Sequence, residues 1–138
     1  MSIQLPEGYR PSDTEEYMNP MQLEYFRRKL LTWKQELMEE SDSTLTHLRE
    51  ENWQEPDIND RATLESDAAL ELRTRDRYRK LINKIDKALN RIADGSYGYC
   101  EESGEEIGIK RLEARPIATL TIEAQEKHER LEKVRRED

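Results

Sequence analysis

At 138 residues, with 34% hydrophobic and 39% charged side chains, the chain has room for one domain with a small core, alone or with an elongated appendage. So little apolar material beside so much charge leaves disorder or long helices with solvated faces, and the spacing described next selects helices. A net charge of −8 argues against a general nucleic-acid coat, which needs a cationic excess to neutralise phosphates.

Residues 1–11 carry Pro6, Gly8 and Pro11 and read as an extended, poorly ordered arm. Ser12 and Glu15 have the spacing of a capping box and predict a short helix over 13–18. A stronger start signal follows, with Asn19 as cap, Pro20 at the first helical position and Gln22 three residues past the cap. From there Leu23, Phe26, Leu30, Trp33 and Leu37 alternate spacings of three and four, the seam of a coiled coil. Ser41, Leu45 and Leu48 continue it with a stutter, so looser packing is expected in the far half of a helix ending near Glu51.

Pro56 then forbids continuation, and Asn59-Asp60 offers oxygens to cap a new helix, so residues 52–62 form the tip of a helical hairpin. The return helix is expected to bury Leu64, Ala68 and Leu72, then a stronger seam of Tyr78, Ile82, Ile85, Leu89 and Ile92, and to stop at Gly95. Each arm of about thirty residues spans roughly 45 Å at the α-helical rise. Glycine-punctuated residues 97–112 suggest two tight turns or a small hairpin. Thr121 caps a last helix to about Arg135, with Glu123 in its first turn and Lys133, Arg135 and Arg136 near its end, both favourable for the dipole.

Charge is unevenly spread along the hairpin. Residues 36–67 hold eleven acids and two bases, whereas residues 68–91 hold eight bases and three acids. A lone cysteine, Cys100, excludes an intramolecular disulfide framework. With no apolar run of signal-peptide or membrane-span length, a cytoplasmic protein is the default expectation.

Gly98-Tyr99-Cys100-x-x-Ser103-Gly104 followed by Ile107-Gly108-Ile109-Lys110-Arg111-Leu112-Glu113-Ala114-Arg115-Pro116 resembles the DksA/TraR family of bacterial transcription factors. The resemblance extends over about 18–135 and includes Asp57-x-x-Asp60-Arg61-Ala62 and Leu70-Glu71-Leu72-Arg73-Thr74-Arg75-Asp76-Arg77. It implies a mainly α fold, a long antiparallel coiled-coil hairpin on a small globular base with a zinc-finger knuckle and a C-terminal helix. The expected organisation is residues 1–18 as an arm and short helix, 19–95 as the coiled coil with its tip at 52–62, and 96–138 as knuckle and last helix.

The resemblance also implies a monomer that binds RNA polymerase and not DNA. It would place its tip in the secondary channel, destabilise promoter open complexes and act with ppGpp in the stringent response, inhibiting ribosomal RNA promoters and activating some others. The tip residues of the family fall on Asp57, Asp60 and Ala62. Its ppGpp-contacting positions fall on Lys84, Arg115 and Gln125, with Arg111 nearby. Arginine forks and lysine point charges suit pyrophosphate, and Gln125 stands where the family usually has lysine, so a weaker or altered ppGpp dependence is expected.

The zinc pattern C-x2-C-x17-C-x2-C falls on Cys100, Ser103, Thr121 and Ala124, so the spacing survives while three thiolates are gone. A structural zinc needs four N, S or O ligands, and this set does not supply them. The expectation is a metal-free, degenerate knuckle held by apolar packing and by Ser103 and Thr121 hydrogen bonds, with no cofactor.

Each site has a plainer reading. Asp57 and Asp60 on spacing alone are a solvated turn and a helix cap. Arg75, Arg79 and Lys80 suit i,i+4 pairs such as Glu71–Arg75 and Asp76–Lys80. Cys100 reads as a small apolar packing residue without a resolving cysteine, His47 and His128 as solvated, and Tyr17, Tyr25, Phe26 and Trp33 as packing. Trp53 is either an anchor for a partner or a lid on the hairpin end. The leading expectation is a non-enzymatic regulator. The alternatives are a Gre-like transcript-cleavage or channel-binding factor and a structural coiled-coil adaptor, while direct DNA binding is disfavoured by Glu101, Glu102, Glu105 and Glu106.

Overall fold

The computed structural model describes residues 3–54 and 61–137. It contains α1 (Pro20–Gln54), α2 (Arg61–Asp94), α3 (Ile109–Ala114) and α4 (Ile122–Glu137). Among the described residues there is no strand, and the expected small hairpin reduces to one antiparallel bridge between Tyr99 and Glu106. The chain divides into two compact units, one of Met1–Leu30 with Lys87–Asp138 and the other of Leu31–Asp86.

The start of α1 follows the capping chemistry. Asn19 Oδ1 accepts the Gln22 amide at 2.9 Å, and the Gln22 side chain turns back to accept the Met18 amide at 2.7 Å. The expected helix over 13–18 does not form. Glu15 does reach back to the Ser12 amide at 3.1 Å, but its carboxylate also accepts from the Tyr9 hydroxyl and from the Gln22 side-chain Nε2, so the segment is bent into successive turns around Glu15. The arm before it is tied down, with Arg28 donating to the Ile3 carbonyl at 2.8 Å and the Tyr9 and Tyr25 rings meeting edge to face at 6.2 Å.

In the first unit Phe26, Leu30, Tyr97 and Leu112 are fully buried, with Met18, Ala88, Cys100, Ile107 and Ile109 around them. Each large apolar side chain so buried contributes on the order of 1.5–3 kcal/mol. Tyr97 lies against Phe26 at 5.7 Å between ring centres, and its hydroxyl donates to the Pro116 carbonyl at 2.8 Å. Gly95 ends α2 with φ +86°, and the Ser96 and Tyr97 amides both return to the Arg91 carbonyl.

In the second unit α1 and α2 pair antiparallel, as three cross-links show. Lys34 meets Asp86 at 2.7 Å, Thr44 meets the Tyr78 hydroxyl at 3.4 Å, and Arg49 meets Glu71 at 3.0 Å. Leu37, Leu45, Tyr78 and Ile85 are buried between them, and Trp33, Ser41, Leu48 and Ile82 are half-buried. One expectation is overturned. Leu64 and Leu72 are 68% and 66% exposed and Ala68 is exposed too, while the half-buried positions of that stretch are Asp67, Glu71 and Thr74. The reason is phase: with Tyr78 and Ile85 buried, alternating steps of three and four back along α2 land on Thr74, Glu71 and Asp67.

Candidate functional site

Most of the tip expected to act on a partner, Asp57 and Asp60 with Pro56, lies outside the described residues. Ala62 is in the first turn of α2 and Trp53 in the last turn of α1. Behind the tip, Glu71 takes both Arg49 and Arg75 on one carboxylate oxygen, at 3.0 and 2.9 Å. Arg75, and with it Arg49, holds that carboxyl below the usual carboxylate range. Asp76 pairs with Arg79 instead of the expected Lys80, three residues along the helix rather than four.

The four positions that the resemblance assigns to ppGpp have distinct local roles. Lys84 is an exposed residue of α2 in the second unit, whereas Arg111, Arg115 and Gln125 belong to the first. Arg111 is half-buried and its Nε donates to the Leu120 carbonyl at 2.9 Å, which ties α3 to the segment before α4. Arg115 is exposed just past α3, and its amide closes that helix on the Arg111 carbonyl at 2.7 Å. The Gln125 amide nitrogen donates along α4 to Glu129 at 3.2 Å. Lys29 supports α3 from α1, with Nζ 2.7 Å from the Glu113 carboxylate and 3.0 Å from its carbonyl.

The degenerate knuckle is held by hydrogen bonds. Cys100 is 4% exposed, its amide donates to the Glu105 carbonyl at 2.8 Å and its carbonyl accepts from Gly104 at 3.0 Å. Thr121 is buried with its hydroxyl 4.0 Å from the Cys100 sulfur, and the same oxygen accepts the Ala124 amide at 3.2 Å, capping α4 as the sequence predicts. Ser103 is exposed and its hydroxyl accepts the Glu105 amide at 3.3 Å. Burial acts to raise the Cys100 thiol, but hydrogen bonds from the Ser103 hydroxyl and from the Ser103, Thr121 and Glu102 backbone outweigh it and bring the pKa down to about 7. Among the described residues no three His, Cys, Asp or Glu side chains converge as metal ligands. One thiol, one exposed hydroxyl, one hydroxyl committed to a cap and one methyl do not make a zinc site.

Tyr17 is a residue that sequence reasoning under-rated. Its hydroxyl donates to the Gly98 carbonyl at 2.7 Å and accepts the Gly108 amide at 2.9 Å, clasping the two turns of the knuckle from before α1. Gly98 permits the approach, with φ +92° and a Cβ position that would fall 2.9 Å from Met18 Cγ. Nothing in the spacing signals this clasp, because the partners are 81 and 91 residues away. Glu24, buried near the start of α1, is likewise committed: hydrogen bonds from Arg27 first and Arg28 next bring its pKa down to about 2.

Comparison with known proteins adds an independent line. The family described as "DnaK suppressor protein DksA, N-terminal domain" matches residues 22–92, and "Prokaryotic dksA/traR C4-type zinc finger" matches residues 95–130. The chain is 62% identical over 130 residues to the RNA polymerase-binding transcription factor DksA of Caulobacter vibrioides, covering 94% of this chain and 92% of that one. It is 52% identical over 117 residues to the protein of the same name from Escherichia coli, covering 85% and 78%. Among solved structures, transcription factor DksA2 from Pseudomonas aeruginosa matches with a TM-score of 0.70 and 42% identity, covering 85% of this chain and 90% of that one.

Proposed function

Because the chain belongs to the DksA/TraR family of transcription factors, which are regulators and not enzymes, we propose that it regulates transcription by binding RNA polymerase. The observation that carries this is identity of 62% sustained over nearly the full length of a relative named for polymerase binding. The paired helices α1 and α2 support the finer reading, in which the tip enters the secondary channel. There Asp57, Asp60 and Ala62 bias the polymerase away from the open promoter complex. Such a regulator needs only a different affinity for two polymerase states.

In this reading ppGpp binds at the joint surface with polymerase, using Lys84 and Arg115. Arg111 serves chiefly to hold α3, which its bond to the Leu120 carbonyl supports, and Gln125 supplies an amide in place of a charge. The knuckle works without zinc, as its donor set favours, and the protein acts in the cytoplasm as a monomer without touching DNA. The functional division into 1–18, 19–95 and 96–138 follows from the same reading.

The test is open-complex lifetime at a ribosomal RNA promoter with purified polymerase and a chelator present. The parent is compared with Asp57→Asn/Asp60→Asn, each with and without ppGpp. The parent should shorten the lifetime, and the variant should bind polymerase without doing so. A parent that leaves the lifetime unchanged overturns the reading, and RNA shortening in backtracked complexes would replace it with a cleavage factor.

A further inference from the structure

Arg115 is an exposed arginine on a fixed backbone. Its amide donates to the Arg111 carbonyl at 2.7 Å and its carbonyl accepts the Ala118 amide at 3.0 Å, while the next carbonyl, that of Pro116, takes the buried Tyr97 hydroxyl at 2.8 Å. Among the described residues its guanidinium is in no ion pair, whereas those of Arg27, Arg28, Arg49, Arg75, Arg79 and Arg91 all are.

A further tie comes from α1. Lys29 Nζ grips Glu113 twice, at the carboxylate at 2.7 Å and at the carbonyl at 3.0 Å. That carbonyl is one of the last of α3, which have no partner inside the helix, and a lysine there satisfies it. The Tyr25 hydroxyl donates to the same carboxylate oxygen at 3.1 Å, and burial first and then Glu113 raise its pKa and keep it a donor. The Lys29 and Glu113 side chains are only 35% and 32% exposed, so the pair is partly shielded from water. It acts on Arg115, two residues along, in two ways. It holds the backbone still, which lowers the entropy lost when the guanidinium is immobilised, and it neutralises a carboxylate that would otherwise repel an anion.

We propose that Lys29, with Tyr25 and Glu113, positions Arg115 and thereby sets the affinity with which its guanidinium takes a pyrophosphate-bearing nucleotide. The proposal rests on the reading above, in which that nucleotide is ppGpp bound jointly with polymerase, and it gives residues of α1 a part in that site.

The experiment titrates labelled ppGpp into purified polymerase with and without the full-length protein and reads the bound ppGpp that the protein adds. The parent is compared with Lys29→Met, Lys29→Arg and Arg115→Ala, and the affinity of each for polymerase without ppGpp is measured beside it. Lys29→Met is expected to raise the half-maximal ppGpp concentration about three- to fivefold with the same maximal increment and an unchanged polymerase affinity. Lys29→Arg, which keeps the charge, should titrate like the parent, and Arg115→Ala should lose most of the increment.

An unchanged half-maximal concentration in Lys29→Met beside a lost increment in Arg115→Ala overturns the positioning role and leaves the ppGpp reading standing. A shift matched by an equal loss of polymerase affinity without ppGpp assigns Lys29 to general packing and also overturns it. No increment in the parent, or an increment that Arg115→Ala leaves intact, overturns the ppGpp reading and the proposal together.

Discussion

The two compact units are stabilised in opposite ways. The first is a small core of aromatic and aliphatic side chains cross-braced by bonds between distant parts of the chain, such as Tyr17 to Gly98 and Gly108, Tyr97 to Pro116 and Lys29 to Glu113. The second has a short apolar seam, and beyond Leu45 and Tyr78 the cross-helix links are polar. In the first unit hydroxyls and carbonyls paired across long sequence separations brace the segments around the degenerate zinc-pattern positions. A long hairpin can leave leucines outside when a few large buried side chains, Tyr78 and Ile85 here, set its phase.

The largest effect that would sharpen this contrast is Phe26→Ala. It should cost about 3–5 kcal/mol by leaving a cavity in the first core, whereas Leu72→Ala should stay within about 0.5 kcal/mol, both read from urea unfolding. Comparable losses would show that the hairpin leucines are packed. Tyr17→Phe should follow at about 1–3 kcal/mol, because it strands the Gly108 amide, while the Gly98 carbonyl keeps the Ile107 amide at 2.8 Å. Faster hydrogen exchange at the Gly108 amide would locate the loss, and unchanged exchange would remove the clasp from the account.

Two titrations follow. The Cys100 thiol is lowered in the folded state, so its contribution to stability is present above the ordinary thiol pKa and is lost as pH falls through about 7. Alkylation of the native protein should accordingly rise with a midpoint near 7, and a midpoint at the ordinary thiol value would break the Ser103 and Thr121 assignment. Glu24, also lowered, stabilises above its ordinary pKa and ceases to do so as pH falls through about 2, so its carboxyl carbon should still report the ionised form at pH 3 by NMR.

The smallest effect is expected at Glu71→Gln, an exposed cluster in the second unit. Its melting temperature should shift less than that of Tyr17→Phe, and the difference from the parent should shrink as salt is added. A larger loss, insensitive to salt, would mean that Glu71 sets the phase of α2 along with Tyr78.

Much of this was legible before any coordinates. Asn19-Pro20, Gly95 and Thr121 announced helix ends because capping is a matter of a few neighbouring residues. The seam Phe26, Leu30, Leu37 and Tyr78, Ile85 followed from period alone, and the family followed from motifs that the comparisons bear out. Other readings failed for physical reasons. Ser12 and Glu15 had the spacing of a cap, but Tyr9 and Gln22 claimed the same carboxylate. Leu64, Ala68 and Leu72 formed a credible stripe, yet two stripes about 100° apart share this helix and hydrophobicity does not say which one the partner helix will meet.

By itself the sequence determined the three longer helices, the caps at Asn19, Gly95 and Thr121 and the family to which the chain belongs, since each rests on interactions within about one or two turns or on contiguous motifs. Only the tertiary structure decided that Arg111 holds a carbonyl, that Tyr17 closes the knuckle and that α2 turns its acids inward. Those outcomes depend on which groups meet across tens of residues, and burial of a few large side chains outweighs local preference in choosing them.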